Sequence, residues 1–161
     1  MPHANLKTAD AIVGERCRSL YDIWQNLTDG RVAPKREEIT LGQVRRLTAW
    51  MWVIDVVDSG ADFRFRLAGD RIVQFLGRRH ADARLSEFPN NAFFMRMKHT
   101  LSHCVEHKLP VAVGPVRSDY EGKEHWDVEF VMLPLSEDGE TVTSLMGIME
   151  LWPAGTNILP A

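Results

Sequence analysis

The sequence predicts an α+β fold with a single antiparallel sheet. The first observation is the run WMWVIDVV at residues 50–57, which is apolar on both alternating faces, as expected of a central strand covered on both sides. The second is the order of apolar patterns along the chain: a helix, a strand hairpin, short helices, one long helix and three further strands. Because the strand at residues 50–57 needs cover on both faces, we expect the two groups of strands to join in one sheet.

Length and composition fit one globular domain with its own hydrophobic core. The chain has 161 residues, of which 45% are hydrophobic and 25% charged. Its formal net charge of -3 provides no basic field for a nucleic-acid backbone. Cys17 and Cys104 have no metal-ligand spacing, so we expect them to be reduced. There is no signal-peptide pattern and no apolar run near the roughly 20 residues of a membrane span, which predicts a cytoplasmic protein without a nucleic-acid or membrane partner.

The N-terminal part is predicted to form one amphipathic helix. Apolar residues recur at intervals of three or four over residues 9–28, a spacing that places them on one face of a helix. Asp29 and Gly30 end this helix. The polar segment around Pro34 is predicted to be a loop, and residues 40–47 a short helix or turn.

A hairpin and a short helix are predicted next. A turn at residues 58–60 joins the strand at residues 50–57 to a second, half-buried strand. In that strand apolar and charged side chains alternate: Phe63, Phe65 and Leu67 with Arg64 and Arg66. Asp70 is expected to be the N-cap of the short helix and Gly77 to end it.

The second half is predicted to contain the long helix and a three-stranded meander. The helix covers residues 91–108 and ends before Pro110. The strands are predicted at residues 110–118, 125–135 and 141–152. The Asp138-Gly139 pair is a strong signal for the hairpin turn between the last two strands.

Three segments of the chain carry a resemblance to a known family. They read SLYDIWQNLTDGRVAPKREEI, VIDVVDSGADFRFRLAGDRIVQFLGRR and RLSEF, within residues 18–152. Their most specific element is the succession of strand, Gly69, short helix and Gly77. The chain thereby resembles the family of single-domain bacterial PAS proteins.

The resemblance implies the PAS fold, a five-stranded antiparallel sheet of order 2-1-5-4-3 with a helical segment on one face and an N-terminal helix. It implies a flanking or dimerisation helix at residues 1–30, a PAS core at residues 31–152 and a C-terminal tail at residues 153–161. It also implies a stand-alone sensory or regulatory protein in signal transduction. Its output is then expected to pass through another polypeptide, because no residues remain for an output domain.

The pocket of this fold lies between the inner sheet face and the long helix, which implies a small, largely apolar ligand. The residues expected to line it are Phe63, Phe65, Phe75, Phe94, Met97, Leu101, Phe130 and Met132. A polar rim is expected from Arg64, Arg66 and Trp126. A filled core would have the same composition as a cavity and would differ only in volume, so the sequence leaves both open.

The alternative function is a ligand-free dimerising adaptor that binds a signalling protein. The N-terminal helix carries a bulky stripe made of Leu20, Ile23, Trp24 and Leu27. This stripe could contact a second copy of the chain or another protein. It could equally cover the outer face of its own sheet, which Val53 and Val57 require. In either case, we expect ligand or partner occupancy to repack the long helix and to shift an equilibrium at the N-terminal helix.

Haem and metal sites are disfavoured by the geometry of the long helix. On a helical projection its apolar face contains Phe93, Phe94, Met97, Leu101, Cys104 and Val105. Arg96, His99 and His103 lie on the opposite side, where a haem-ligating histidine would point at water. The two histidines have no obvious third ligand, so no metal site is expected.

Flavin and catalysis are disfavoured by the absence of the residues that they need. A flavin photosensor of the light-oxygen-voltage type needs a reactive cysteine in a segment that here reads Arg78, Arg79 and His80. No GxSxG, P-loop or HExxH motif occurs. Asp127 and Glu129 alternate with apolar residues, but they should face away from the pocket. A small α+β enzyme is therefore only a remote alternative, with no catalytic residue assigned.

Overall fold

The protein forms an antiparallel sheet flanked by helices. The computed structural model describes residues 6–7, 9–77, 82–156 and 158. Its strands are β1 (Leu6–Lys7), β2 (Met51–Val57), β3 (Asp62–Ala68), β4 (Val111–Arg117), β5 (Trp126–Leu135) and β6 (Ser144–Pro153). Its α-helices are α1 (Glu15–Thr28), α2 (Leu41–Val44), α3 (Asp70–Leu76) and α4 (Ala92–His107). Parts of the predicted segments at residues 1–30 and 153–161 lie outside the described residues.

The strand order confirms the predicted sheet. Neighbouring strands pair antiparallel in the order β1-β4-β5-β6-β2-β3. Counted from β2, the five longer strands therefore have the order 2-1-5-4-3. The two-residue strand β1 pairs with β4, Leu6 opposite Val113, and adds an edge strand that the sequence analysis does not predict.

Each face of the sheet has its own hydrophobic core. Helices α3 and α4 cover the face that we call inner, and α1 covers the outer face. Strand β2 contributes Trp52 and Ile54 to the inner core and Met51 and Val53 to the outer core, and all four side chains are buried. The two-sided apolar pattern at residues 50–57 is thus explained by cover on both faces.

Helix α1 begins at Glu15, later than the predicted start at residue 9. The backbone N–H groups of Val13 and Gly14 donate to the Glu129 carboxylate at 2.9 and 2.7 Å. The Arg16 N–H donates to the Glu150 carboxylate at 2.9 Å. These contacts hold the chain just before the helix and in its first turn on the sheet, and the partners are more than one hundred residues away in sequence.

The bulky stripe of α1 packs on its own sheet. Leu20 is completely buried and Trp24 is 5% exposed. The Trp24 indole N–H donates to the Pro134 carbonyl oxygen at 2.7 Å. The expectation that Leu20 and Trp24 lie at a dimer or partner interface is therefore corrected, because these side chains are covered by the sheet. Ile23 and Leu27 remain partly exposed.

The hairpin and the short helix differ from prediction in two details. Leu67 is 55% exposed because β2 pairs Val53 with Leu67 and then Ile54 with Phe65, which leaves Arg66 as an extra residue. Such a bulge moves the following side chains to the opposite face. The N-cap of α3 is Gly69 rather than Asp70, which is the first helical residue.

We predict that Glu129→Gln lowers the free energy of unfolding by about 1–3 kcal/mol, since one of two backbone N–H groups would lose a buried acceptor. Urea unfolding followed by circular dichroism measures this change. Glu124→Gln, the same change at an exposed position close by, is the control and is expected to have little effect. Equal stability of the two variants would contradict the anchoring role of Glu129.

Candidate functional site

A cavity of about 100 Å³ lies on the inner face of the sheet. Side chains from all five longer strands form its floor, and α3 and α4 form its walls. The side chains around it are mostly apolar: Trp52, Phe65, Ile72, Phe75, Leu76, Phe93, Met97, Val113, Val116, Val128, Phe130, Met132 and Met149. The polar residues around it are Arg96, Thr100, Arg117, Ser118 and Asp119. The inner core is therefore incompletely filled.

Only some of the residues that the sequence predicts as a lining are found at this cavity. Of the residues expected to line it, the structure places five at the cavity: Phe65, Phe75, Met97, Phe130 and Met132. Phe63, Phe94 and Leu101 do not line it and are buried in the inner core. The ring of Phe94 packs instead against Phe88, with centroids 4.9 Å apart. A buried position on the correct face is thus not sufficient to reach the cavity.

The residues expected to form the polar rim lie elsewhere. Arg66 forms an ion pair with Asp55 on the outer face, and this hydrogen bond raises the pKa of Arg66. Arg64 lies on β3 beside Arg84, and the ring of Trp126 lies 5.3 Å from that of His125 at the start of β5. None of the three expected rim residues is among those that line the cavity. The bulge in β3 ends the regular alternation of apolar and charged side chains along this strand. The alternation therefore does not predict which residues lie at the opening of the cavity.

Arg96 of α4 and Asp119 of the connection between β4 and β5 are partly exposed polar residues of the lining, and they mark the mouth of the cavity. Arg96 of α4 forms an ion pair with Asp119. The Tyr120 hydroxyl donates to the Leu76 carbonyl oxygen at 2.8 Å, and its ring stacks on Phe75 with centroids 5.6 Å apart. Residues 118–125, which we call the mouth loop, are thereby attached to both helices of the inner face.

Arg96 lies at the cavity and the nearby histidines do not, although a helical projection places all of them on the same side of α4. Arg96 lines the cavity, whereas His99 is exposed and His103 partly exposed. Burial lowers the pKa of His103, and so do the neighbouring His107 and His99. The projection groups Arg96 with the histidines opposite the apolar face, but Arg96 lines the cavity because the mouth loop folds against this side of α4.

Other candidate groups lie away from the cavity or outside the described residues. Cys104 is buried, and burial raises the pKa of its thiol. Asp127 accepts a hydrogen bond from Arg117, which lowers the pKa of Asp127, and Glu129 is buried below α1. Among the described residues, no group of three or more His, Cys, Asp or Glu could hold a metal ion. Residues 78–80, where a flavin photosensor would need a reactive cysteine, lie outside the described ranges.

Trp52 and Gly147 shape the floor of the cavity, and the sequence analysis does not identify them. They are opposite each other on β2 and β6. A Cβ atom on Gly147 would lie 2.0 Å from the Trp52 indole, so the ring lies directly on the glycine. The available signal is a glycine in the middle of the apolar strand SLMGIM, which indicates a close approach.

Comparison with protein families finds a match that covers most of the chain. A family model described as a PAS domain matches residues 14–150. This range begins just before α1 and ends within β6, so it includes every residue that lines the cavity. No curated protein matches the chain. In the part that the structure describes, no helix has the length and apolar character needed to cross a membrane.

We predict that Gly147→Ala displaces the Trp52 indole towards the cavity and costs about 1–3 kcal/mol of stability, as overpacking usually does. Urea unfolding measures the cost, and tryptophan fluorescence reports the changed environment of the ring. Gly42→Ala in α2 is the matched control, since an added methyl there meets no atom closer than 4.0 Å. A Gly147→Ala variant as stable as the control would refute the close packing of this pair.

Proposed function

The chain belongs to the PAS domain family, a family of sensory and signalling domains, and we propose that it is a regulatory protein that binds a small, largely apolar ligand. The ligand binds in the cavity of the inner face, and the protein signals through protein–protein contacts. We propose no catalytic role for it, since the carboxylates of β5 lie away from the cavity lining.

The cavity is the observation that carries this proposal. Native interiors are close-packed, and voids larger than a water molecule are few. An apolar cavity of about 150 Å³ is large enough to bind benzene. The cavity of about 100 Å³ is smaller than this, so an apolar body of that size fits only where the lining side chains adapt. The flexible side chains of Met97, Met132 and Met149 line it and can adapt to the shape of a ligand.

A path of contacts connects the cavity to α1. Ile72, Phe75 and Leu76 of α3 line the cavity, and Arg71 of the same helix lies over the Trp50 ring at 5.4 Å. Arg16 of α1 lies over the same ring at 4.3 Å. We propose that ligand occupancy shifts α3 and that this shift reaches the start of α1 through Trp50.

The proposed output is a contact made by the exposed side of α1. Ile23 and Leu27 are partly exposed there, whereas Leu20 and Trp24 are buried. A second copy of the chain or another signalling protein would contact this side. A ligand-free adaptor that uses the same side is the second candidate function.

We predict that freshly purified protein carries a small molecule that native mass spectrometry detects as a mass excess, lost on denaturation. Val113→Phe should abolish the excess because the larger side chain fills the cavity. Val105→Phe is the matched control, since Val105 is partly buried in the same core but does not line the cavity. A clean protein mass for the wild type would favour the adaptor, and the same spectrum gives the number of subunits.

We predict that Val113→Phe changes the hydrogen-exchange rates of the first amides of α1 and that Trp50→Leu abolishes this change. The reason is that the leucine side chain offers no ring face to Arg16 and Arg71. Exchange measured by mass spectrometry on the two single variants and the double variant tests the coupling. If Val113→Phe has the same effect on α1 with and without Trp50, the proposed path is incorrect.

A further inference from the structure

The polar groups around the cavity are concentrated at its mouth, and they are mainly hydrogen-bond donors. Arg96 provides a guanidinium group, and Ser118 and Thr100 provide hydroxyl groups. The Thr100 hydroxyl donates to the Arg96 carbonyl oxygen at 2.9 Å, so its proton is already used. Arg96 and Ser118 are therefore the donors that a ligand could engage.

The hydroxyl group of Ser118 is buried beside the cavity. The residue is 4% exposed, and its hydroxyl oxygen accepts a hydrogen bond from the Tyr120 N–H at 3.2 Å. Among the described residues, the hydroxyl donates to no acceptor. A buried hydroxyl without an acceptor is unfavourable, and such groups in native proteins usually have a partner such as water or a ligand. An oxygen atom at the cavity mouth would satisfy it.

Arg96 has a partner that a ligand could replace. Its ion pair with Asp119 joins side chains that are 25% and 51% exposed, respectively. Ion pairs exposed to water in this way contribute little free energy. A carboxylate inside the cavity would be less screened by water than that of Asp119 and would interact more strongly with the guanidinium group.

The second arginine of the lining, Arg117, does not direct its charge into the cavity. Its Nε–H donates to the Asp127 carboxylate at 2.8 Å. The two residues are paired across β4 and β5, next to the pair Val116 and Val128, which does line the cavity. Since neighbouring residues of a strand point to opposite faces, Arg117 and Asp127 point away from it.

From these observations we infer that the ligand is a small carboxylate with an apolar body. The body occupies the cavity, the carboxylate accepts hydrogen bonds from Arg96 and Ser118, and Asp119 is displaced from Arg96. This inference rests on the proposed function and adds the chemical class of the ligand. It also assigns the orientation of the ligand to α4 and the mouth loop rather than to β3.

Benzoate and benzamide test the inference, because they have nearly the same shape and differ in charge. Binding is measured by isothermal titration calorimetry with the wild-type chain. We expect benzoate to bind at least about ten times more tightly than benzamide. Arg96→Gln should remove this preference, and Ser118→Ala should weaken benzoate binding. Asp119→Asn should strengthen it, because the competing carboxylate is lost.

The opposite effects expected of two variants separate ligand binding from a structural role. Arg96→Gln and Asp119→Asn break the same ion pair, so a purely structural effect would change benzoate affinity in the same direction in both. Arg66→Gln removes the same charge from an arginine that pairs with Asp55 on the outer face, away from the cavity, and is expected to leave the affinity unchanged. Circular dichroism verifies that each variant is folded.

Each result has a definite meaning. Benzamide binding as tightly as benzoate, or benzoate binding that is insensitive to Arg96→Gln, overturns the inference and leaves the proposed function intact. A neutral molecule identified in the native mass spectrum does the same. If neither probe binds and the protein carries no mass excess, the proposed ligand site itself is rejected together with the inference.

Discussion

The fold depends on two buried carboxylates on the outer face of the sheet. Glu129 and Glu150 are opposite each other on β5 and β6, and both accept backbone N–H groups from the segment that starts α1. Carboxylates near a helix N-terminus also interact favourably with the helix dipole. Because a carboxylate buried without such partners would be strongly unfavourable, the docking of α1 and the burial of the two acids require each other. Gly14 permits the contact, since a Cβ atom there would lie 2.7 Å from the Glu150 side chain.

The two faces of the sheet, one of them covered by the anchored helix α1, differ in how they are packed. The outer core under α1 contains side chains from α1 and the sheet, including Leu20, Val131 and Ile148. The inner core contains larger, aromatic side chains, and these do not fill the space between the sheet and α4. Trp52 occupies its position only because Gly147 has no side chain. A cavity on the inner face and a helix on the outer face are thus joined by the same central strands.

The sequence predicts the structural elements that depend on the local residue pattern. It does not predict the features that are determined by contacts between residues far apart in the chain. The strands follow from alternation, turn residues and the apolar run at residues 50–57, whereas their order is what the resemblance to the PAS fold implies. The start of α1 does not follow from the local pattern, because carboxylates more than one hundred residues away fix it. The exposed position of Leu67 does not follow from the local pattern either, because a bulge interrupts the alternation of side chains along β3. The cavity walls are predicted only in part, because being buried and lining a void are distinguished by volume and not by residue type.

Arg96 shows how the mouth of the site connects to the rest of the molecule. A projection of α4 alone places it on the polar side, and only the mouth loop turns that side into part of the cavity. The loop is attached to α4 through Asp119 and to the end of α3 through Tyr120. A ligand that replaced Asp119 would therefore loosen the loop at one attachment and press on α3 from inside the cavity. Both effects meet on α3, whose Arg71 lies over Trp50, and Trp50 in turn contacts Arg16 at the start of α1. On the proposed function, this convergence gives a small ligand a route to the outer face of the sheet without any large movement of the core.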